Sequence, residues 1–238
     1  MKTGTFYGIG VGPGDPELVT MKAVRILRKV DVVFAASSTK NEGSLAAEIV
    51  SRYLKKDIPV RLLGFPMTRR RETLKEAWRE NGRRLLDVLL AGKDAAFVTL
   101  GDPTTYSTFG YTAGAIREAA PEIPIVVIPG ITSYQAATAA TCRSLAEAEE
   151  SFTVVSGALG ADRLKEVIHT TDNVVILKVY RNFREIREAL EELGLTSGSI
   201  LVSRCGLEGE EIVYDLRKYP DKTPPYLSLI LVRKKGVG

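Results

Sequence analysis

The residues best suited to chemistry in this sequence form one stretch, residues 99–108, which reads Thr-Leu-Gly-Asp-Pro-Thr-Thr-Tyr-Ser-Thr. It contains one carboxylate, that of Asp102, and an unbroken run of hydroxyl-bearing residues at 104–108. Carboxylate and hydroxyl groups hold polar ligands, but the stretch has no histidine or cysteine that could form a nucleophile–base pair. It therefore predicts a loop that binds a polar ligand and does not attack it.

A short apolar run at 95–98 leads into this loop and is typical of a buried parallel strand. Gly101-Asp102-Pro103 then ends the strand, because glycine permits a tight turn and proline has no N–H to donate. Open α/β sheets bind their ligands at the carboxyl ends of such strands. The residues leave two interpretations of Asp102 open: it forms the turn, or its carboxylate anchors an ammonium or hydroxyl group of a ligand.

Two other predicted strands end in similar loops. Residues 6–11 are followed by Gly12-Pro13-Gly14, and residues 125–128 are followed by Pro129-Gly130-Ile131-Thr132-Ser133. The carboxyl ends of parallel strands meet at one edge of a sheet, so we expect the three loops to cluster there. Thr132 and Ser133 either contact a ligand at this edge or cap the helix that follows them.

The order of predicted elements indicates an α/β protein with two domains. Short β-branched strands alternate with helical patterns over residues 1–147, which predicts a parallel sheet flanked by helices. One helix should begin at Pro16, with Asp15 as its N-cap, and continue through Leu27. Over residues 148–238, strands near the end follow one another without helices between them, which predicts a mixed sheet.

Composition argues against several classes of function. The net charge is only +4 over 238 residues, and the densest basic cluster, Arg69-Arg70-Arg71, is too short to form a nucleic-acid-binding stripe. Cys142 and Cys205 form no metal-binding pair and His169 is the single histidine, so we expect no metal. No apolar run approaches membrane-spanning length and no signal-peptide pattern opens the chain, which predicts a cytoplasmic protein with no membrane partner.

The glycine-rich turn after the first strand is a weak dinucleotide signal. The third glycine of a GxGxxG pattern would fall on Pro13, which lacks the N–H that a pyrophosphate needs. The acidic residue expected near the end of the second strand is also missing, since residues 34–37 read Phe-Ala-Ala-Ser. A nicotinamide or flavin enzyme is therefore disfavoured.

Taken together, the three loops resemble the signature loops of the tetrapyrrole (corrin/porphyrin) methylase family. The resemblance rests on Gly-Ile-Gly-Val-Gly-Pro-Gly-Asp-Pro at 8–16, on Leu-Gly-Asp-Pro with Tyr-Ser-Thr at 100–108, and on Pro-Gly-Ile-Thr-Ser at 129–133. Phe-Pro-Met at 65–67, the helix with Trp78 and the whole 100–108 loop are similar to one branch, the precorrin-2 C20-methyltransferases of cobalamin synthesis. The chain lacks the Asp that uroporphyrinogen methyltransferases carry after their second strand, which favours a later substrate.

This resemblance implies a homodimer in which two α/β domains hold S-adenosylmethionine in a cleft between them. The family's donor-binding positions fall on Pro13, Leu100, Gly101, Asp102, Thr105, Tyr106, Thr132 and Ser133. It also implies that the backbone at Lys178 and Cys205 contacts the adenine.

The implied reaction is methylation at C20 of precorrin-2 or its cobalt-bearing counterpart, a tetrapyrrole with several carboxylates. Asp102, Tyr106 and Tyr111 are candidates for handling the displaced proton, and the sequence selects none of them, so the catalytic residue is unknown. Candidates for meeting the substrate carboxylates are Lys40, Arg69, Arg70, Arg71 and Arg143. Two alternatives stay open: a family methyltransferase for another corrin position, diphthine or ribosomal RNA, and a non-catalytic nucleotide-sensing module.

Overall fold

A computed structural model describes residues 2–38, 43–66, 68 and 70–234. Its contacts divide the chain into two compact units, Met1–Thr132 and Ser133–Gly238. Each unit is built on one five-stranded sheet. The expectation of two α/β halves, one on a parallel and one on a mixed sheet, is confirmed.

The first unit has a parallel sheet with the strand order β3-β2-β4-β1-β5. The strands are β1 (Phe6–Gly10), β2 (Val32–Ser38), β3 (Val60–Phe65), β4 (Ala95–Thr99) and β5 (Ile125–Ile128). The described helices are α1 (Met21–Leu27), α2 (Leu45–Ser51), α3 (Arg71–Leu90) and α4 (Phe109–Ala119). Because β1 pairs with both β4 and β5, the three strands that precede the predicted loops are neighbours.

Both faces of this sheet are covered, which explains the continuous apolar runs of its strands. Phe6, Phe34 and Phe97 are fully buried on one face, in a cluster that includes residues of α3 and α4. Ile9 and Val98 are fully buried on the other face, with residues of α1 and α2. Helices therefore pack on both faces of the sheet, and the loops that could bind a ligand lie at the carboxyl ends of its strands.

The helix expected from Pro16 to Leu27 is wrong as a single element. Asp15 does cap a turn, but this turn is a short 3-10 helix, Pro16–Leu18. The backbone then becomes extended at Val19 and Thr20, and the Thr20 hydroxyl accepts a hydrogen bond from Ala23 N at 3.2 Å as the N-cap of α1. A second capping residue therefore interrupts the helical pattern, and Val19, just before it, is buried in the sheet cluster.

The second unit has a mixed sheet with the strand order β6-β7-β10-β8-β9. The strands are β6 (Phe152–Ser156), β7 (Asn173–Leu177), β8 (Ser199–Ser203), β9 (Glu211–Val213) and β10 (Ser228–Arg233), and the described helices are α5 (Ser133–Thr141), α6 (Asp162–Val167) and α7 (Phe183–Glu192). β10 is antiparallel to β7 and to β8, so the latter two strands run in the same direction and end at the same edge.

The contacts place the division of the chain at Thr132, whereas the sequence predicts it at residue 147. Helix α5 accounts for the difference, because Ala137 is fully buried in a cluster with Val175 and Ile200 of the second sheet. The domain limits 1–147 and 148–238 themselves stay a prediction. The acidic residues at this predicted limit, Glu147 and Glu150, are tied to the second unit.

This tie is an ionic network around Arg233. Its guanidinium lies 2.7 Å from the Glu147 carboxylate and 3.4 Å from that of Glu150, which also accepts a hydrogen bond from the Asn173 amide at 3.1 Å. The hydrogen bond from Arg233 lowers the pKa of Glu147, and the one from Asn173 lowers the pKa of Glu150. Carboxylates with lowered pKa stabilise the fold above their usual pKa and lose this contribution as pH falls.

Tyr219 provides a test of the core of the second unit. Its side chain is 2% exposed and packs edge-on against Phe183, and its hydroxyl has no hydrogen-bond partner among the described residues. A buried hydroxyl without a partner costs stability. We expect Tyr219→Phe to leave the free energy of unfolding unchanged or to raise it by up to about 1 kcal/mol in urea denaturation.

The matched control is Tyr53→Phe, since the Tyr53 hydroxyl donates a hydrogen bond to Pro16 O at 2.9 Å. This variant should lose about 1 kcal/mol. Equal destabilisation by the two substitutions would show that the Tyr219 hydroxyl has a partner in solution.

Candidate functional site

The three predicted loops meet at the carboxyl edge of the first sheet, where β4, β1 and β5 end side by side. The chain after β1 is joined to the chain after β4 by a pair of backbone hydrogen bonds. Gly101 N donates to Gly12 O at 2.8 Å, and Gly12 N donates to Gly101 O at 3.4 Å. Both residues have positive φ, +78° for Gly12 and +67° for Gly101, a conformation that favours glycine. Pro13, which follows Gly12, is buried.

A closer approach occurs between the backbones at Gly10, Gly101 and Gly130. A Cβ atom on Gly130 would lie 2.1 Å from Gly101 O, and one on Gly10 would lie 2.6 Å from Gly130 N. These positions have no room for any side chain. The edge is therefore formed by main chain packed directly on main chain.

Asp102 fastens this arrangement through both of its carboxylate oxygens. One oxygen accepts hydrogen bonds from Thr104 N at 2.8 Å and from the Thr104 hydroxyl. The other accepts a hydrogen bond from Gly130 N at 3.0 Å, which links the loop after β4 to the loop after β5. The hydrogen bonds to Thr104 support the interpretation of Asp102 as a turn-forming residue. Its side chain, only 8% exposed, is also a tether between two loops.

The hydroxyl run divides into an inward and an outward set. Ser107 donates a hydrogen bond to the Thr99 hydroxyl at 3.0 Å and accepts one from Phe109 N at 3.1 Å, so it fixes the start of α4. Tyr106 is 52% exposed and has a positive φ of 51°, which is unusual for a residue other than glycine. Thr105 is partly exposed beside it, so these two residues form the outward set at the sheet edge. Thr132, at the end of the third loop, is buried, with 8% of its surface exposed.

The remaining predicted contacts belong to the second unit. Ser133 is the first residue of α5, and the Lys178 and Cys205 positions follow β7 and β8. Because these two strands lie on either side of β10 and run the same way, Lys178 and Cys205 share one sheet edge. Lys178 has left-handed backbone geometry, with φ of 57° and ψ of 36°. The structure thus groups the candidates at two sheet edges, one in each unit.

Two candidate side chains at this second edge have shifted pKa values, Cys205 a raised one and Lys178 a lowered one. Burial, with the nearby Glu210 carboxylate, raises the pKa of the Cys205 thiol to about 12, so it stays protonated at neutral pH. Partial burial of its ammonium, with repulsion from Arg181, lowers the pKa of Lys178. Cys205 is therefore not an activated nucleophile.

Two aromatic pairs near these edges are not predicted by the sequence. Tyr180 and Tyr226 lie with ring centroids 4.9 Å apart beside Lys178, and Trp78 stacks on Tyr111 in the first unit. Trp78 is only partly buried, whereas Leu85 and Leu89 of the same helix are fully buried. Pairing between distant aromatic residues leaves no periodic signal in a sequence.

The basic candidates for substrate carboxylates are only partly located. Arg70 and Arg71 lie at the start of α3 and are exposed, and Arg143 follows α5 in the second unit. Lys40 and Arg69, together with Met67 of the Phe-Pro-Met motif, lie outside the described residues. In the described part of the chain no helix is long and apolar enough to cross a membrane, and no three acidic, cysteine or histidine side chains are grouped to hold a metal.

Comparison with known proteins decides the family. The model of the Tetrapyrrole (Corrin/Porphyrin) Methylases matches residues 5–218. The chain belongs to this family. It is 34% identical over 233 residues to the cobalt-precorrin-2 C(20)-methyltransferase of Salmonella typhimurium, covering 98% of this chain and 97% of the relative. It is 36% identical over 233 residues to the probable cobalt-precorrin-2 C(20)-methyltransferase of Methanocaldococcus jannaschii, covering 96% and 95%.

A solved methyltransferase structure has the same fold. The uroporphyrin-III C-methyltransferase of Thermus thermophilus, in complex with S-adenosyl homocysteine, superposes with a TM-score of 0.70 at 24% identity, over 97% of this chain and 92% of that one. The glycine-packed edge therefore belongs to a fold that this chain shares with that methyltransferase.

The glycine packing yields a paired test in this methylase. Gly130→Ala forces a methyl group onto Gly101 O, and we expect a loss of about 2–3 kcal/mol in the free energy of unfolding. Gly114→Ala, in the exposed face of α4 with nothing within 4 Å of the new methyl group, should gain about 0.5–1 kcal/mol. Urea denaturation measures both, and a tolerated Gly130→Ala would disprove the close contact.

The raised pKa of Cys205 yields a second test. Only the thiolate reacts with iodoacetamide, so at pH 8 the exposed Cys142 should be alkylated first and Cys205 at least tenfold more slowly, as followed by peptide mass spectrometry. Glu210→Gln removes the neighbouring negative charge and should speed alkylation of Cys205 alone. Equal rates at the two cysteines would contradict the buried, protonated thiol.

Proposed function

We propose that this methylase transfers a methyl group from S-adenosylmethionine to C20 of precorrin-2 or cobalt-precorrin-2 in cobalamin biosynthesis. One observation carries the proposal: nearly the whole chain aligns at 34–36% identity with two relatives named for C(20) methylation of the cobalt-bearing substrate. A homodimer, which the family resemblance implies, and a cytoplasmic location are parts of the same proposal.

The edge of the first sheet fits a donor held by backbone and hydroxyl groups. Gly101 is partly exposed and carries no side chain, so a ligand can approach its main chain closely, and Thr105 and Tyr106 of the same loop are at least partly exposed. The residues we assign to the donor are Pro13, Leu100, Gly101, Asp102, Thr105, Tyr106, Thr132 and Ser133, with the backbone at Lys178 and Cys205. Asp102 takes part chiefly by holding the loop after β5 through Gly130.

The chemistry needs no protein nucleophile. A bond forms between C20 and the methyl carbon, the methyl–sulfur bond of the sulfonium breaks to leave a neutral thioether, and C20 loses a proton. The residues described here hold reactants in place, and positioning alone supplies several kcal/mol of a barrier. Asp102, Tyr106 and Tyr111 stay candidates for the proton, although both Asp102 oxygens already accept hydrogen bonds and Tyr111 is stacked on Trp78.

We expect the purified protein, incubated with S-adenosylmethionine and precorrin-2 or cobalt-precorrin-2, to add one methyl group to the acceptor and release S-adenosylhomocysteine. Mass spectrometry detects the gain, and a 13C-labelled donor places the new methyl group at C20 by NMR. The two acceptors tested side by side reveal whether cobalt must be present.

Asp102→Asn tests the tether in the same assay. The amide keeps one oxygen acceptor but cannot satisfy both Thr104 and Gly130, so we expect roughly tenfold weaker donor binding by calorimetry. Donor binding without methylation of either acceptor would favour another family acceptor, diphthine or ribosomal RNA, or a nucleotide-sensing module. Absence of donor binding would overturn the proposal altogether.

A further inference from the structure

Helices α3 and α4 both begin at the loop-bearing edge of the first sheet. α3 follows β3 and α4 follows β4, and these strands are parallel, so the first turns of both helices lie at the strands' carboxyl ends. Trp78 lies two turns into α3 and Tyr111 lies in the first turn of α4. Side chains on these turns are therefore near the loops that follow β1, β4 and β5, which we assign to the methyl donor.

The rings of Trp78 and Tyr111 form a flat stack between the two helices. Their centroids are 4.1 Å apart and their planes differ by 4°. One turn further along both helices, a Cβ on Gly82 would lie 3.0 Å from the Cβ of Ala115, so the helices nearly touch there. Tyr111 is 52% exposed and Trp78 is partly exposed. The open aromatic face of the stack is this solvent-exposed part of the two rings.

Two cations accompany this stack on the surface of α3. Lys75 precedes Trp78 by three residues and Arg71 precedes it by seven, spacings that place all three on one side of a helix. Both cations are exposed, and among the described residues neither makes an ion pair, whereas Arg83 further along pairs with Glu80 at 3.0 Å. Their charges are available to a ligand.

We propose that Trp78, Tyr111, Arg71 and Lys75 form an acceptor-docking patch, in which the open aromatic face packs on a planar macrocycle and the cations bind its carboxylates. The inference rests on the proposed function, because it names the surface that receives the acceptor. Aromatic faces attract flat π-systems, and carboxylates pair with arginine and lysine.

The charge pattern beside the patch favours this occupant over a nucleic acid. Glu72, Glu76 and Glu80 form an exposed acidic row along α3 at helical spacing. The exposed Arg79 and Arg83 continue the basic row of Arg71 and Lys75 at the same spacing, so a phosphate backbone lying along the helix would meet both rows, whereas a compact macrocycle with discrete carboxylates needs only the two cations near the stack. The patch is small and local, as such a ligand requires.

Trp78 is the single tryptophan of the chain, so its fluorescence reports on the patch. The probe is uroporphyrin III, a stable polycarboxylate porphyrin, titrated into the intact protein while Trp78 quenching and the porphyrin absorbance are followed. Binding of this probe needs no turnover, so the patch is tested separately from the methylation reaction.

The decisive variant is Arg71→Gln/Lys75→Gln, and its matched control is Arg84→Gln/Lys93→Gln, which removes the same charge from exposed residues near the other end of α3. We expect the patch variant to bind the porphyrin about five- to tenfold more weakly and the control to bind within about twofold of the parent. Tyr111→Ala should weaken binding to a similar extent, while Tyr111→Phe, which keeps the stack, should not. S-adenosylmethionine affinity should be unchanged in every variant.

Unchanged porphyrin affinity in both Arg71→Gln/Lys75→Gln and Tyr111→Ala would overturn the patch, and so would equal weakening in the control. RNA binding that is lost in the patch variant, with porphyrin binding unaffected, would also overturn it in favour of a nucleic-acid surface. Where methylation is measurable, the patch variant should raise KM for the tetrapyrrole and leave kcat and the donor KM in place. A parent protein that binds porphyrin through the patch but methylates neither precorrin would count against the proposed function and not against the patch.

Discussion

The structure of the candidate site depends on direct contact between main chain and main chain at Gly10, Gly101 and Gly130. No side chain fits at Gly10 or Gly130, and the Asp102 carboxylate holds the third loop against the second. Parallel strands bring their carboxyl ends to one edge in any sheet of this class. The close approach turns that general edge into a rigid rim of backbone donors and acceptors, from which the outward hydroxyls of the 104–108 run project.

Such a rim suits a reaction in which the protein supplies geometry and the reactants supply the chemistry. Both carboxylate oxygens of Asp102 are used within the fold, and Cys205 is held as a neutral thiol. Methyl transfer to a carbon of the acceptor is a reaction of this kind, since its barrier falls when donor and acceptor are held in line. Local rigidity at the first edge is then the protein's main contribution.

Much of the fold and the position of the candidate site could be predicted from the sequence, because both depend on local residue patterns. Strand β6 and the glycine loops follow from apolar runs that end in turn residues, and the parallel order of β4, β1 and β5 follows from the alternation of strands and helices. The break at Val19 and Thr20 was missed because two good N-caps compete within one helical pattern. The tether from Asp102 to Gly130 and the stack of Trp78 on Tyr111 join distant residues, and a single sequence carries no sign of such pairs.

The glycine contact also bears on how such a chain can change over generations. At Gly10 and Gly130 every substitution adds atoms where the neighbouring backbone already lies, so the part of the fold that we propose faces the methyl donor is closed to variation. The exposed positions of α3 and α4 carry no such restriction, and side chains there can be exchanged without moving the rim. A scaffold divided in this way can keep one donor while its descendants come to serve different acceptors.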